Sequence, residues 1–274
     1  MTDMARIVPN QPRARGAVRL DVVQRHGRSD LAGLRQSGSL RLLFPRTRHQ
    51  GLQAVLINTA GGITGGDVFG LKAGIGEGAT LTLTTQAAER AYRAQPGQSG
   101  RLRSCVTVGA RGHLNWLPQE TLLFDGSSMR RRLVVDLDED ATALVCEALV
   151  FGRAAMGERL RTASFSDHIE LRRERMPLFL DRTSLQGDID AHMVHPYVAN
   201  GAGAMALVAF VHPGAPAHLQ AVRDIISNAG GATLLREGVL VARILAEDSH
   251  ALRKALIPIL ARLSADDLPR PWMI

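Results

Sequence analysis

Apolar and polar residues alternate in short runs from Ala17 to about residue 200. A period of two puts every second side chain on one face of a strand, so each run predicts a strand with one buried face. The pattern predicts strands over 17–23, 39–44, 54–58, 68–75, 79–85, 101–108, 113–117, 120–124, 132–137, 164–173 and 176–182, with turns such as 109–112 and 125–128 between them. That procession suits stacked or coiled β layers. Two stretches are ambiguous. Residues 86–92, QAAERAY, fit one helical turn or an irregular strand edge. Residues 142–151, TALVCEALVF, form an apolar decamer that reads equally as a buried helix or a buried strand.

After Asn200 the texture changes. A strand is predicted over 203–211, then a helix over 216–229 with Leu219, Val222, Ile225 and Ile226 on one face and Gly230-Gly231 as its stop. A hairpin follows, 232–235 and 239–245 around Glu237-Gly238. Asp248 or Ser249 then caps a second helix bearing Leu252, Leu256, Ile259, Leu260 and Leu263, which Pro258 should kink or break. The chain is thus expected to be mainly β, with a smaller C-terminal βαββα-like helical layer. Residues 1–16 are read as a flexible lead-in, 17–200 as the β-rich body and 201–274 as a strand and helix portion packed on it, in one continuous domain.

Charge changes this picture little. Formal net charge is +7 and the pI is about 10.5. Lys72 and Lys254 are the only lysines, so the excess is almost wholly arginine dispersed along the chain. An aromatic content of 4% leaves few platforms for stacking single-stranded nucleic acid. An acidic protein partner accounts for the charge as well as a nucleic acid does. Cys105 and Cys146 form no CxxC pair, which argues against a disulfide framework or structural zinc. With no apolar leader and no run long enough to span a bilayer, a soluble cytoplasmic protein is expected.

The candidate chemistry begins with NTAGGITGGD, residues 58–67. Gly61, Gly62, Gly65 and Gly66 permit two successive turns or bulges and close approach of a neighbour. A phosphate loop would continue Gly-Lys-Ser/Thr into a helix, and this one does not. Asp67 ends the run. Glu89 in QAAER reads as an exposed carboxylate or as a partner of Arg90 or Arg93. Glu147 is the informative acid, because an unpaired buried carboxylate costs on the order of several kcal/mol. Pairing with Arg153, nearby in sequence, is the plain structural reading. Asp67 and Glu147 could alternatively serve a hydrolase or lyase as general acid and base, although no serine elbow, ligand set or cofactor fingerprint accompanies them. His192 and His195 are weak metal candidates, since HxxH needs a helical face and a third ligand and Pro196 opposes the helix.

Several blocks together resemble the urease accessory protein UreD family, called UreH in some bacteria. They are NTAGGITGGD (58–67), TLTTQAAERAYRA (82–94), LNWLPQETLLFDGSSMRR (114–131), LVCEALVFGRAAMGE (144–158) and the ending LPRPWMI (268–274), similar to that family's Pro-Arg-x-Trp close. They occur in family order across most of the chain. The resemblance implies a two-layered β-helical body with helices toward the C-terminus, and a non-enzymatic scaffold of urease maturation. It implies that the chain binds UreF, recruits the GTPase UreG through it, and docks on the urease apoprotein, with nucleic acid and membrane playing no part. It further implies an internal channel for nickel, or for the carbon dioxide or bicarbonate that carbamylates an active-site lysine. No tightly bound cofactor is expected, only transient nickel. Asp67, Glu89, Glu147 and, in FLDR, Asp181 are the acids expected to line the channel, with the glycines keeping backbone clear of it. The HxxH segment belongs to no matched motif.

Overall fold

The computed structural model describes residues 11–47, 49–153, 156–228, 230–265 and 268–273. The chain opens with a hairpin, β1 (Arg15–Arg25) and β2 (Arg28–Gly38). His26 and Gly27 both have positive φ at its two-residue turn, which matches the twist of the paired strands. A second antiparallel pair, β3 (Leu40–Leu43) and β4 (Leu52–Asn58), starts the opposite layer.

From there the chain winds as a β-helix. Strands β5 (Val68–Ile75), β8 (Gly100–Val108), β11 (Ser128–Leu137) and β13 (Ala163–Arg173) are laid side by side, in parallel, on one layer. Between them β6 (Thr80–Thr85), β9 (His113–Leu117) and β12 (Thr142–Phe151) extend the other layer, parallel to β4. Short strands β7 (Glu89–Ala91) and β10 (Thr121–Leu123) fill the bends and pair in parallel with each other, and β10 pairs with β12. Each coil therefore adds one strand to each layer. β14 (Met176–Gly187) closes the first layer antiparallel to β13.

The first layer is a seven-stranded sheet, A, in the order β14-β13-β11-β8-β5-β1-β2. After helix α1 (Ile189–Met193), strands β15 (Ala204–Val211), β16 (Gly230–Arg236) and β17 (Val239–Ala246) extend the second layer, sheet B, by antiparallel pairing beyond β12. Helices α2 (Ala215–Ile226) and α3 (Ser249–Leu263) cover the outer side of its β12-β15-β17 end.

Two cores result. Leu20, Leu71, Val106, Leu133 and Leu171 from sheet A meet Leu83, Leu114, Trp116 and Val145 from sheet B. On the far side of sheet B, Leu144, Cys146, Ala148, Val208 and Phe210 meet Val222, Ile226, Leu252, Leu256 and Leu260 of the helices. Strand β12 is buried on both faces, so its sequence has no period of two, and this is why TALVCEALVF was ambiguous. Sheet A is buried on one face only, and its strands alternate cleanly.

The structure departs from the sequence reading at definite places. Strand β2 was not anticipated, because it is an edge strand that buries a single residue, Ser29, and carries no apolar alternation. Strand β11 begins at Ser128, inside the expected turn. The lead-in is anchored where it is described: Arg13 donates to Gln98 Oε1 (2.6 Å) and β1 starts at Arg15, while residues 1–10 lie outside the described residues. Pro258 does not break α3. It sits on the exposed side, as does Lys254, whose carbonyl is the one a proline at 258 leaves without its helical donor. Ala229, the expected end of the preceding helix, lies outside the described residues. Among the described residues no helix is long and apolar enough to cross a membrane.

The C-terminal tail locks the two halves together. Trp272, fully buried, donates from Nε1 to the Leu117 carbonyl (2.9 Å) at the end of β9. The Arg253 guanidinium of α3 lies 5.0 Å from its ring centroid. Trp272→Ala is expected to destabilise the fold by about 3–5 kcal/mol, the usual cost of emptying a buried aromatic site. Denaturant unfolding checks this, and a loss below about 1 kcal/mol would show the tail to be dispensable.

Candidate functional site

The glycine loop shapes one side of the site. Gly61 and Gly62 have φ of 78° and 155°. A Cβ on Gly62 would lie 2.3 Å from Tyr92 Cε2 and 2.6 Å from the Arg90 carbonyl, so only glycine fits against β7. Backbone bonds Ile63 N to Arg90 O and Tyr92 N to Ile63 O, both 2.8 Å, hold the loop there. The Asn58 side-chain amide then donates to the Gly62 carbonyl (2.9 Å) and to the Glu89 carboxylate (3.1 and 3.2 Å). Asn58 thereby fixes where Glu89 stands. Burial raises the Glu89 pKa, against the lowering effect of the bonds from Asn58 and the Arg90 backbone.

Deeper in, a charge cluster joins the two layers. Arg131 of β11 and Asp167 of β13 point inward from sheet A, and Arg131 Nε and Nη2 donate to the two Asp167 oxygens at 3.0 and 2.6 Å. Glu147 of β12 reaches in from sheet B, where its Oε1 accepts from Trp116 Nε1 at 2.8 Å. Its Oε2 forms an ion pair with Arg131 Nη1 but is not aligned for a hydrogen bond. The same nitrogen donates to Thr121 Oγ1 (3.1 Å) on β10. All five side chains are at least 94% buried. Burial pushes the Glu147 pKa up to about 7, opposed by Arg131 and reinforced by Asp167. Burial pulls the Arg131 pKa down, but Asp167 and Glu147 outweigh it and the guanidinium stays charged.

Glu89 and Glu147 belong to one internal cavity of about 50 Å³, whose other lining includes Trp116, Thr121, Gln119 and Arg131. That volume holds a few waters at the ~10–15 Å³ each needs. An outer pocket of about 180 Å³ is lined by Asn58, Gly61, Gly62, Gln86 and Glu89. Leu56, Thr85 and Glu89 line both spaces, so the Glu89 carboxylate stands at the wall between surface and interior. Strand register also relates Glu89 to Glu147. Glu89 pairs with Thr121, and Thr121 with Leu149, one same-face step from Glu147 on β12. Two buried polar atoms on the inner lining residues, Gln119 Nε2 and Glu147 Oε2, have no hydrogen-bond partner among the described residues.

The remaining candidates lie elsewhere. Asp67 is buried, but Oδ1 accepts from Ala14 N (2.8 Å) and Oδ2 from Thr64 N (2.9 Å), so it tethers the glycine loop to β1. It lines neither space, and the acid and base pair supposed for a hydrolase is not assembled around it and Glu147. Gly65 and Gly66 pack against Ala94, Gln98 and Arg13, away from the pocket. Asp181 of the edge strand β14 pairs with Arg243 of β17 at 2.5 Å and joins the two sheets there. Arg153 pairs with Glu158, not with Glu147. His192 lies in a separate pocket beside Asp188, and His195 is exposed. Among the described residues no three His, Cys, Asp or Glu side chains are placed to hold a metal.

The sequence reading missed Arg131 and Asp167. The signal was there: Met129, Arg131, Leu133 and Val135 share one phase, as do Phe165, Asp167, Ile169 and Leu171. A charge in step with buried apolar residues marks an inward-facing ion.

The Glu147 shift sets a pH dependence. Below its ordinary value of 4.5 both folded and unfolded chains hold the proton. Between there and about 7 the folded chain keeps a proton that the unfolded chain has released, so this group's contribution to stability falls as pH rises and is constant above that window. Denaturant midpoints measured from about pH 5 to about pH 8 should decline in the wild type, by on the order of a few kcal/mol in stability. That decline should be absent in Glu147→Gln. Equal slopes in the two proteins would show that Glu147 does not titrate there.

Comparison of the sequence with known proteins identifies the family. Residues 14–273 match the family model described as UreD urease accessory protein. A urease accessory protein UreD of Ruegeria pomeroyi is 50% identical over 246 residues, covering 90% of this chain and 96% of its own. That of Roseobacter denitrificans is 46% identical over 265 residues, covering 97% of both. A relative from Bradyrhizobium, urease accessory protein UreD 3, is 43% identical over 263 residues, covering 95% of this chain and 94% of its own. The chain belongs to the UreD family of urease accessory proteins.

Proposed function

We propose that this chain is a non-enzymatic scaffold of urease maturation in the cytoplasm. It binds UreF, and through it UreG, docks on the urease apoprotein, and lets a small ion reach that apoprotein through its own interior. Family membership supports the maturation role. The passage rests on one observation: Glu89 separates an outer pocket from an inner cavity that reaches the Glu147 and Arg131 pair.

The chemistry suits transit. A divalent cation leaves a site quickly when it meets one carboxylate and neutral oxygens, and slowly when several anionic ligands close around it. Glu89 offers one carboxylate, with Thr85 beside it and the Gly62 carbonyl held nearby by Asn58. Further in, the cluster of Arg131, Asp167 and Glu147 carries one net negative charge when Glu147 is ionised and none when it is protonated. With its pKa near 7, Glu147 is poised to change the field felt by nickel, or by bicarbonate, at small cost.

Glu89→Gln keeps the Asn58 contact and removes the charge at the wall. Co-expressed with a urease operon lacking its own UreD member, this variant is expected to lower nickel per urease severalfold while the scaffold is still recovered in the complex. Glu147→Ala should lower nickel as well. Normal nickel content with both variants would remove the passage from the proposal, and loss of the complex itself would assign these acids to folding.

A further inference from the structure

Sheet A has an unusual outer face. Its five central strands are all parallel, and sheets of that kind are ordinarily covered on both sides. Here, among the described residues, the helices pack on one end of sheet B and none on sheet A, whose outward side chains are half-buried or exposed.

Register arranges those side chains in basic rows. Arg35, Arg19 and Lys72 are direct neighbours across β2, β1 and β5. Arg101 of β8 pairs with Arg130 of β11, and Arg103 with Arg132. Like charges directly opposite on neighbouring strands are destabilising, so chain stability alone does not favour this arrangement. Local acids do not neutralise it. Asp21 answers Arg19 at 3.2 Å, and Glu170 answers Arg132 and Arg172 at 3.4 and 2.8 Å. Arg35, Lys72, Arg101, Arg103 and Arg130 make no ion pair among the described residues. Between the rows runs an open trough of about 710 Å³ floored by small residues, Ala17, Gly70, Gly74 and Cys105. Lys72 is one of only two lysines in the chain, and it stands in this trough.

We infer that the outer face of sheet A docks an acidic surface of a partner protein, with carboxylates seated in the trough between guanidinium groups. Arginine is suited to this, because its planar fork takes a carboxylate by two parallel hydrogen bonds. Seven strands spaced about 4.8 Å apart, each about ten residues long, give a face of roughly 30 by 34 Å, enough for the ~800 Å² that one partner contributes to a stable interface. A nucleic acid fits less well. No aromatic side chain points outward from β1, β5, β8 or β11 to stack a base, and a flat sheet presents no element that enters a groove. This inference rests on the maturation reading for the identity of the machinery and adds the face and the chemistry of contact.

The test uses the full chain co-expressed with the remaining urease and accessory proteins of its operon. Three forms are compared: wild type, Lys72→Glu/Arg101→Glu/Arg103→Glu, and a control with the same change in net charge on the helical side, Arg236→Glu/Lys254→Glu/Arg262→Glu. Wild type and control are expected to retain their partner at low salt and lose it as salt rises. The sheet variant should retain at least tenfold less at low salt. Lys72→Gln/Arg101→Gln/Arg103→Gln should fall between, and it stands in if the reversed form does not melt cooperatively. Equal retention by the sheet variants and the wild type overturns the inference and leaves the maturation reading intact. Failure of the wild type to retain any partner overturns both. Binding of a random-sequence DNA duplex that only the sheet variants lose, with partner retention unchanged, overturns the inference in favour of nucleic acid.

Discussion

A guanidinium buried between two sheets must find carboxylates within reach, and Arg131 finds one on each side. Asp167 answers it from the neighbouring strand of its own sheet and Glu147 from the opposite sheet. The Coulomb attraction alone need not exceed the desolvation of three ions. Its effect is on specificity, since slipping either layer by one residue would turn Arg131 or Glu147 outward and leave the remaining charge alone in an apolar interior. Thr121 and Trp116 complete the arrangement from the bends and from β9, so consecutive coils are held in one register.

The same register creates the cavity. A uniformly apolar interior would close on itself at the density usual for proteins. Here charged and amide groups bring polar side chains into the space between the layers, and packing around them leaves room beside Glu147 and Gln119. The glycine loop packs tightly against β7 beside the outer pocket, because side chains larger than hydrogen at Gly62 would collide with that strand. The C-terminal helix reaches the same region. Arg253 donates to Gln119 Oε1 (2.7 Å) and Glu120 Oε1 (3.0 Å), so movement of α3 would be felt at the inner wall.

The two sides of the molecule differ for a related reason. At its β12-β15-β17 end sheet B gave up its outer face to helices and became hydrophobic on both sides. Sheet A kept its outer face open and filled it with arginine. One β-helix thus presents a side packed under helices and a charged, exposed side, with the buried charge cluster between the two sheets.

Local pattern was sufficient for most of the strands, because a period of two survives wherever one face is wet, as in Val68–Ile75 and Gly100–Val108. The motif blocks were sufficient for the family. Sequence also singled out Glu147 as a costly acid and Glu89 as a candidate. What it could not supply was the company each residue keeps. Glu147 was matched to Arg153, six residues away, whereas its partner is Arg131, sixteen residues away on the opposite layer. Asp67 and Asp181 look like Glu147 in sequence but spend their oxygens on backbone and on Arg243. Pairing across layers is set by how the coils stack, and stacking depends on burial summed over the whole chain. No local window of residues contains that information.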